Sequence, residues 1–402
     1  MTRFATRGGT LAVRNALVLD GDGPVEADVL VRDGTVVDEA GYDGAVGPEI
    51  DARGGMVTPG FIDAHFHAYG IELDMLLGES RPLSYVALAG ARRLARALGR
   101  GFTTVRDPAG GDAGLSRAIV EGLLPAPRYL WLGAALSQTG GHGDPRDVDS
   151  DVCGCHHHSV EVVDGIDPLR RAVRDRFRRG AHAIKIMTSG GVVSLTDPIR
   201  IPQYSPEEVR AVTDEARRRG SYVAAHAYSP EAIRHAVDNG VRSIEHGNLL
   251  DAGTAEVMAA AGAVLVPTLA AYDAMERRGA EIGMAAVSRQ KNSEVLDAGR
   301  TAIELARAAG VPVGFGTDLM GELEDEQLRG LQLQVEVLGP AETLRSVTTV
   351  NAALIGDDRV GHLRPGAVGD LLIFDGDPIA RPELLWSAQR PRIVLDGVEV
   401  AA

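Results

Sequence analysis

Between residues 61 and 317 the chain alternates eight short apolar segments with helix-like stretches, and few folds accommodate that rhythm. The strand candidates are 61–67, 102–107, 128–136, 183–188, 221–227, 242–246, 263–269 and 312–317. Segments rich in Ala, Arg, Leu and Glu separate most of them, among them 83–99, 168–179, 206–219 and 294–309. Strand–helix alternation favours a parallel sheet covered by helices, and eight units in series is the count for a (β/α)8 TIM barrel. The chain ends differ: "LAVRNALVLDGDG" and "ADVLVRDGTVV" near the start, and "GDLLIFDGDP" and "RIVLDGVEV" near the finish, are short strands broken by Gly/Asp turns. Their matching texture predicts one small β-sandwich domain built from both ends. The expected class is α/β, with a composite β-domain from 1–57 and 354–402 around a barrel over 58–353.

Bulk properties narrow the function classes. The 402 residues are 45% hydrophobic and 24% charged, an ordinary globular composition with enough chain for a sizeable core. A net charge of −15 argues against a nucleic-acid partner, which calls for a basic surface. No run approaches the roughly 18 apolar residues of a membrane helix. The opening "MTRFATRGGTLAVRNALVLDGDG" lacks the apolar core of a secretory leader. Two cysteines, Cys153 and Cys155, are too few for a disulfide framework. These features predict a cytoplasmic enzyme, expected to be a homo-oligomer, with no membrane association.

In a barrel of this kind, chemistry gathers at the C-terminal ends of the strands. Strand 1 ends in "FIDAHFH", where His65 and His67, two apart, point to one face. Strand 4 holds Lys185 between Ile184 and Ile186. Strand 5 ends in "YVAAHAY" with His226 and Tyr228, strand 6 in "SIEHG" with His246, and strand 8 in "VGFGTD" with Asp318. Imidazole and carboxylate are the ligands of Zn²⁺ and similar divalent metals. Lys185 is unusual in another respect: of 41 basic residues only it and Lys291 are lysine. Arginine stays charged, whereas a buried lysine can shed its proton and act as a nucleophile.

With those residues in place, the chain resembles the amidohydrolase superfamily, in its imidazolonepropionase-like and prolidase-like branch. "TPGFIDAHFH", "IKIMTSGGV", "AAHAYSPEAI", "SIEHGNLL" and "FGTD" are similar to the corresponding family segments. The resemblance implies a split β-domain and two divalent metal ions, with Zn²⁺ expected. It also implies a strand-4 lysine carboxylated by CO₂, so that a carbamate on Lys185 bridges the pair. Carried over by position, one metal takes His65, His67, Lys185 and Asp318, and the other Lys185, His226 and His246. Two metals about 3.5–4 Å apart would lower the pKa of a bridging water and polarise a carbonyl. Asp318 is then the expected general base and acid. Tyr228 is a candidate donor to the developing oxyanion, or else packs at the rim.

The long segment after strand 3, 137–165, is expected to shape a substrate pocket. Within it "TGGHGD" resembles a family segment near the active site, which makes His142 a candidate substrate contact. "CGCHHH" (153–158) lacks the separated pairs of a structural zinc site and reads as loop packing. The acidic "GELEDEQ" after Asp318 reads as the start of a helix. Arg146 and Arg200 are weak candidates to clamp a substrate carboxylate. The expected reaction is hydrolysis of the amide bond of dipeptides or N-acyl amino acids by a metal-bridging hydroxide. The alternative is another C–N cleavage (cyclic amide, carbamate or aryl amide) or deamination, which Lys185 disfavours. A non-catalytic scaffold would have lost ligands, and the set is complete.

Overall fold

The computed structural model describes residues 8–20, 23–146, 158–194 and 197–400. Its architecture follows from where apolar alternation meets turn chemistry. Leu11–Asp20 pairs antiparallel with Gly23–Arg32, and Asp33–Gly34, both at positive φ, turns the chain into Thr35–Val37. Asp-Gly with two left-handed residues is the tight hairpin turn that matches strand twist. Asp396–Gly397 does the same between Arg392–Leu395 and Val398–Val400. Leu371–Ile373 pairs with both Met56–Pro59 and Arg392–Leu395, so residues from both ends form one eight-stranded sheet. Its buried side, including Leu11, Val13, Val31, Leu371 and Val394, makes a separate apolar cluster.

Parallel strands occupy the middle of the chain. β1 (Phe61–Asp63), β2 (Phe102–Asp107) and β3 (Arg128–Trp131) form one sheet. β4 (Ile184–Met187), β5 (Val223–Ala227), β6 (Ser243–His246) and β7 (Val264–Val266) belong to another. Backbone hydrogen bonds link these pieces: His182 N donates to Trp131 O (2.8 Å), Gly314 N to Leu265 O (2.8 Å) and Ala64 N to Phe315 O (2.9 Å). Helices follow the strands, several with a side-chain cap. Ser205 and Glu208 form a capping box on Pro206–Arg218, and Ser229 caps Pro230–Asp238. Ile184 and Ile186 join the apolar cluster with Val173, Val209 and Val212 of the flanking helices, which leaves Lys185 on the opposite face of β4.

Several segments differ from their sequence-based outlines: 61–67 is a strand only over Phe61–Asp63, which leaves His65 and His67 just beyond it, and 263–269 only over Val264–Val266, with Leu269 opening a helix. The stretch 128–136 is broken at Leu132–Ala134, where Gly133 has φ 79°, and resumes as Ala135–Ser137. The long segment after it contains a short strand, Val160–Val162, parallel to Ala135–Ser137. Segment 312–317 makes only a single bridge, Val313 with Leu265. No helix among the described residues is long and apolar enough to cross a membrane.

Candidate metal centre

The strand ends and the loops after them converge on one cavity, lined by all six predicted ligands together with His142 and Tyr228. His65, His246 and Asp318 offer donor atoms that all lie within 4.8 Å of one another. Asp318 Oδ1 is 2.9 Å from His67 Nε2 and 3.3 Å from His65 Nε2, and Oδ2 is 3.8 Å from His246 Nδ1. The rings of His226 and His246 are centred 4.5 Å apart. His246 and Asp318 both have positive φ (74° and 53°). Both lie in the left-handed region, which is uncommon for non-glycine residues although Asp and His tolerate it better than most. Asp63 holds the segment before Asp318 against β1, accepting from Thr317 N and Oγ1 (3.1 and 2.6 Å), Gln327 Nε2 (3.0 Å) and His65 N (3.1 Å).

Electrostatics favour a cation here. Burial alone would raise the Asp318 carboxyl, but His65 and His67 outweigh it and hold it well below the usual carboxylate range. Burial drives His226 and His246 well below the usual imidazole range, so both rings are neutral and able to ligate. For His67 burial works the same way, yet Asp107 and Asp318 overcome it and lift the ring to about 9. A divalent cation would compete with that proton. Burial lowers Lys185 to about 8, against the opposing pull of Glu245 and Asp318. Its Nζ makes no hydrogen bond or ion pair among the described residues, although the residue is 2% exposed. A buried amine with no counter-charge in contact gives up its proton more readily than an exposed one, which enlarges its nucleophilic fraction. The donor set therefore fits divalent metal.

Behind the candidate ligands stand residues that sequence reasoning missed. Glu245, fully buried, places Oε2 2.7 Å from His65 Nδ1 and Oε1 2.7 Å from the guanidinium of Arg106. Arg106, also fully buried, reaches Ser243 Oγ (3.3 Å) as well. Thr268 Oγ1 and Tyr272 OH both lie 2.8 Å from His246 Nδ1. Such partners fix ring orientation and tautomer. The available signals were slight: an acid next to the histidine in "SIEHG" and an Arg-Asp pair ending "FTTVRD".

The remaining candidates divide. Tyr228 lines the cavity, and its hydroxyl lies 2.7 Å from Tyr272 OH. His142 stacks on His226 with centroids 4.1 Å apart, and its Nδ1 lies 2.9 Å from Ser194 Oγ. Arg146 pairs with Asp144 and Arg200 with Glu294, and neither lines the cavity. The acidic stretch forms a 3-10 turn, Gly321–Glu326, before the helix Gln327–Leu338, and Glu324 pairs with Arg96 and Arg100. Of the "CGCHHH" stretch, residues 153–157 lie outside the described residues, and His158 lines the cavity.

Comparison with known proteins identifies the family. Residues 56–399 match the model of the amidohydrolase family. The ochratoxinase of Aspergillus niger is 32% identical over 346 residues, covering 81% of this chain and 71% of that protein. The imidazolonepropionase of Chromobacterium violaceum is 26% identical, covering 90% of this chain and 88% of that protein. The crystal structure of a prolidase complexed with N-methylphosphonate-L-proline superposes with a TM-score of 0.94 at 39% identity, covering 97% of this chain and 99% of that one.

Proposed function

Because this chain belongs to the amidohydrolase family, in its imidazolonepropionase-like and prolidase-like branch, we propose that it cleaves dipeptides or N-acyl amino acids at the amide bond. It is a hydrolase of C–N bonds in a family that works with divalent metal ions. The observation that carries the proposal is the convergence of His65, His246 and Asp318 in the cavity that also holds His67, His226 and the unpaired Lys185. His65, His67 and Asp318 would hold one ion, and His226 and His246 a second, with a carbamate on Lys185 shared between them. Zn²⁺ is the metal best suited to this imidazole-rich set. When bound, such a pair supplies an acidified water and polarises the scissile carbonyl.

The protein's own residues carry the rest. Asp318, ionised and touching His65 and His67, takes the proton of the attacking water and returns it to the leaving nitrogen. Tyr228 donates to the oxyanion, and its contact with Tyr272 links it to His246. His142, held by Ser194, faces the substrate. This chemistry belongs to a closed (β/α)8 barrel over 58–353, with 1–57 and 354–402 as the smaller domain. A cytoplasmic homo-oligomer completes the proposal.

A second reading, cleavage of a bulky aryl amide, is favoured by the apolar wall of Leu73, Val86, Met187, Val192, Met275 and Leu323. A library of dipeptides, N-acyl amino acids and aryl amides, assayed for released amine with and without added metal, decides between them. Metal-dependent turnover within the first two classes supports the proposal; turnover confined to aryl amides moves it to the second reading.

A further inference from the structure

The chain's other lysine has a different use. Lys291 lies in the helix Ala286–Ala308, and its Nζ donates to three backbone carbonyls of the loop after β4: Gly191 O (3.0 Å), Ser194 O (2.9 Å) and Asp197 O (3.0 Å). An ammonium has three donors on one atom, whereas a guanidinium spreads its donors over a planar fork. Three acceptors converging on one point therefore call for lysine, in a chain that otherwise uses arginine. One turn along the same helix, Glu294 pairs with Arg200, so the helix grips the loop at a second place.

The gripped loop touches the candidate site twice. Gly190 O, next to the first clamped carbonyl, lies 3.1 Å from His226 Nε2. That contact assigns the proton to Nε2 and leaves Nδ1 free to ligate. Ser194, whose carbonyl is clamped, holds His142 Nδ1 through its hydroxyl at 2.9 Å. Asp197, third in the clamp and 3% exposed, accepts from Gly191 N and Gln203 Nε2 (both 3.2 Å), and Gln203 Oε1 accepts from His142 N (3.0 Å). Each of these three paths from Lys291 leads to His142 or His226.

We propose that Lys291 is a positioning residue for the hydrolytic reaction: its ammonium shapes the loop after β4 so that Gly190 O orients His226 and Ser194 Oγ orients His142. The functional part rests on the amide-hydrolase reading above; the clamp itself does not. The test compares wild type, Lys291→Ala and Lys291→Arg in the full-length, metal-loaded protein. Backbone amide exchange at residues 189–194 is followed by mass spectrometry, alongside kinetics on the best substrate of the library. In Lys291→Ala, exchange should accelerate and KM should rise about tenfold with a smaller change in kcat. Added methylammonium or ethylammonium should restore both, and Lys291→Arg should restore neither. Unchanged exchange in Lys291→Ala overturns the clamp whether or not a substrate is hydrolysed. Full restoration by Lys291→Arg also overturns it, because positive charge alone would then suffice. Failure of the amide-hydrolase reading shows separately, as no turnover by wild type.

Discussion

Glu245 Oε2 lies 2.7 Å from His65 Nδ1, which directs the opposite nitrogen of that ring at Asp318. The same carboxylate pairs with Arg106 Nη2 at 2.7 Å, and neither partner of that ion pair is exposed. Burial would raise the Glu245 carboxyl, but Arg106 first and His65 next hold it well below the usual range. Glu245 thus neutralises an arginine and orients a candidate ligand at once. Glu245→Gln keeps the volume and one acceptor but loses the charge. It should weaken metal binding about 10–100-fold, as other partners of metal-bound histidines do. It should also destabilise the fold, because Arg106 remains buried without its counter-ion. Competition for metal against a chromogenic chelator, together with thermal melts, checks both; unchanged metal affinity would show that His65 does not need this partner.

Arg128 of β3 reaches out of the parallel strands to Asp370 (2.9 and 3.1 Å) and Asp396, beside the terminal sheet. All three side chains are at most 5% exposed. Breaking a buried pair on one side strands the other charge, so Arg128→Met should cost about 3–5 kcal/mol. Urea titration measures it. Metal content per folded chain should stay the same, since none of the three lines the cavity.

His182, just ahead of β4, contacts Ile355 O through Nε2 at 2.9 Å, and burial lowers its pKa to about 4 from an ordinary 6.5. The unfolded chain therefore gains this proton first as pH falls, and stability is lost between about pH 6.5 and 4. The shift corresponds to about 3–4 kcal/mol when complete. His182→Asn, which removes the titrating group, should flatten the stability profile over that window. Chemical denaturation at half-unit pH steps would reveal it, and an unchanged slope would assign the acid sensitivity elsewhere.

The sequence made the site more legible than its support. Apolar runs ending in His, Lys or Asp stood out because strand geometry puts alternate residues on one face, and Ile184/Lys185/Ile186 divide that way in β4, whereas His65 and His67 lie just beyond the end of β1. Glu245 and Arg106 are 139 residues apart, and nothing local announces that they meet. The Lys291 clamp spans about a hundred residues and uses backbone carbonyls, which carry no side-chain signature. Val160–Val162 is too short to show a period, and the break at Gly133 depends on one residue's positive φ.

The central claim is that Lys185 becomes an anionic bridge between two metals, and metal content tests it most directly. Elemental analysis of wild type grown with ample bicarbonate should give about two divalent ions per chain. That number should fall in Lys185→Ala, and in wild type reconstituted without CO₂, while circular dichroism confirms a folded chain. A single ion per chain, unmoved by Lys185→Ala and by CO₂, would contradict the bridge and leave Lys185 an ordinary buried amine.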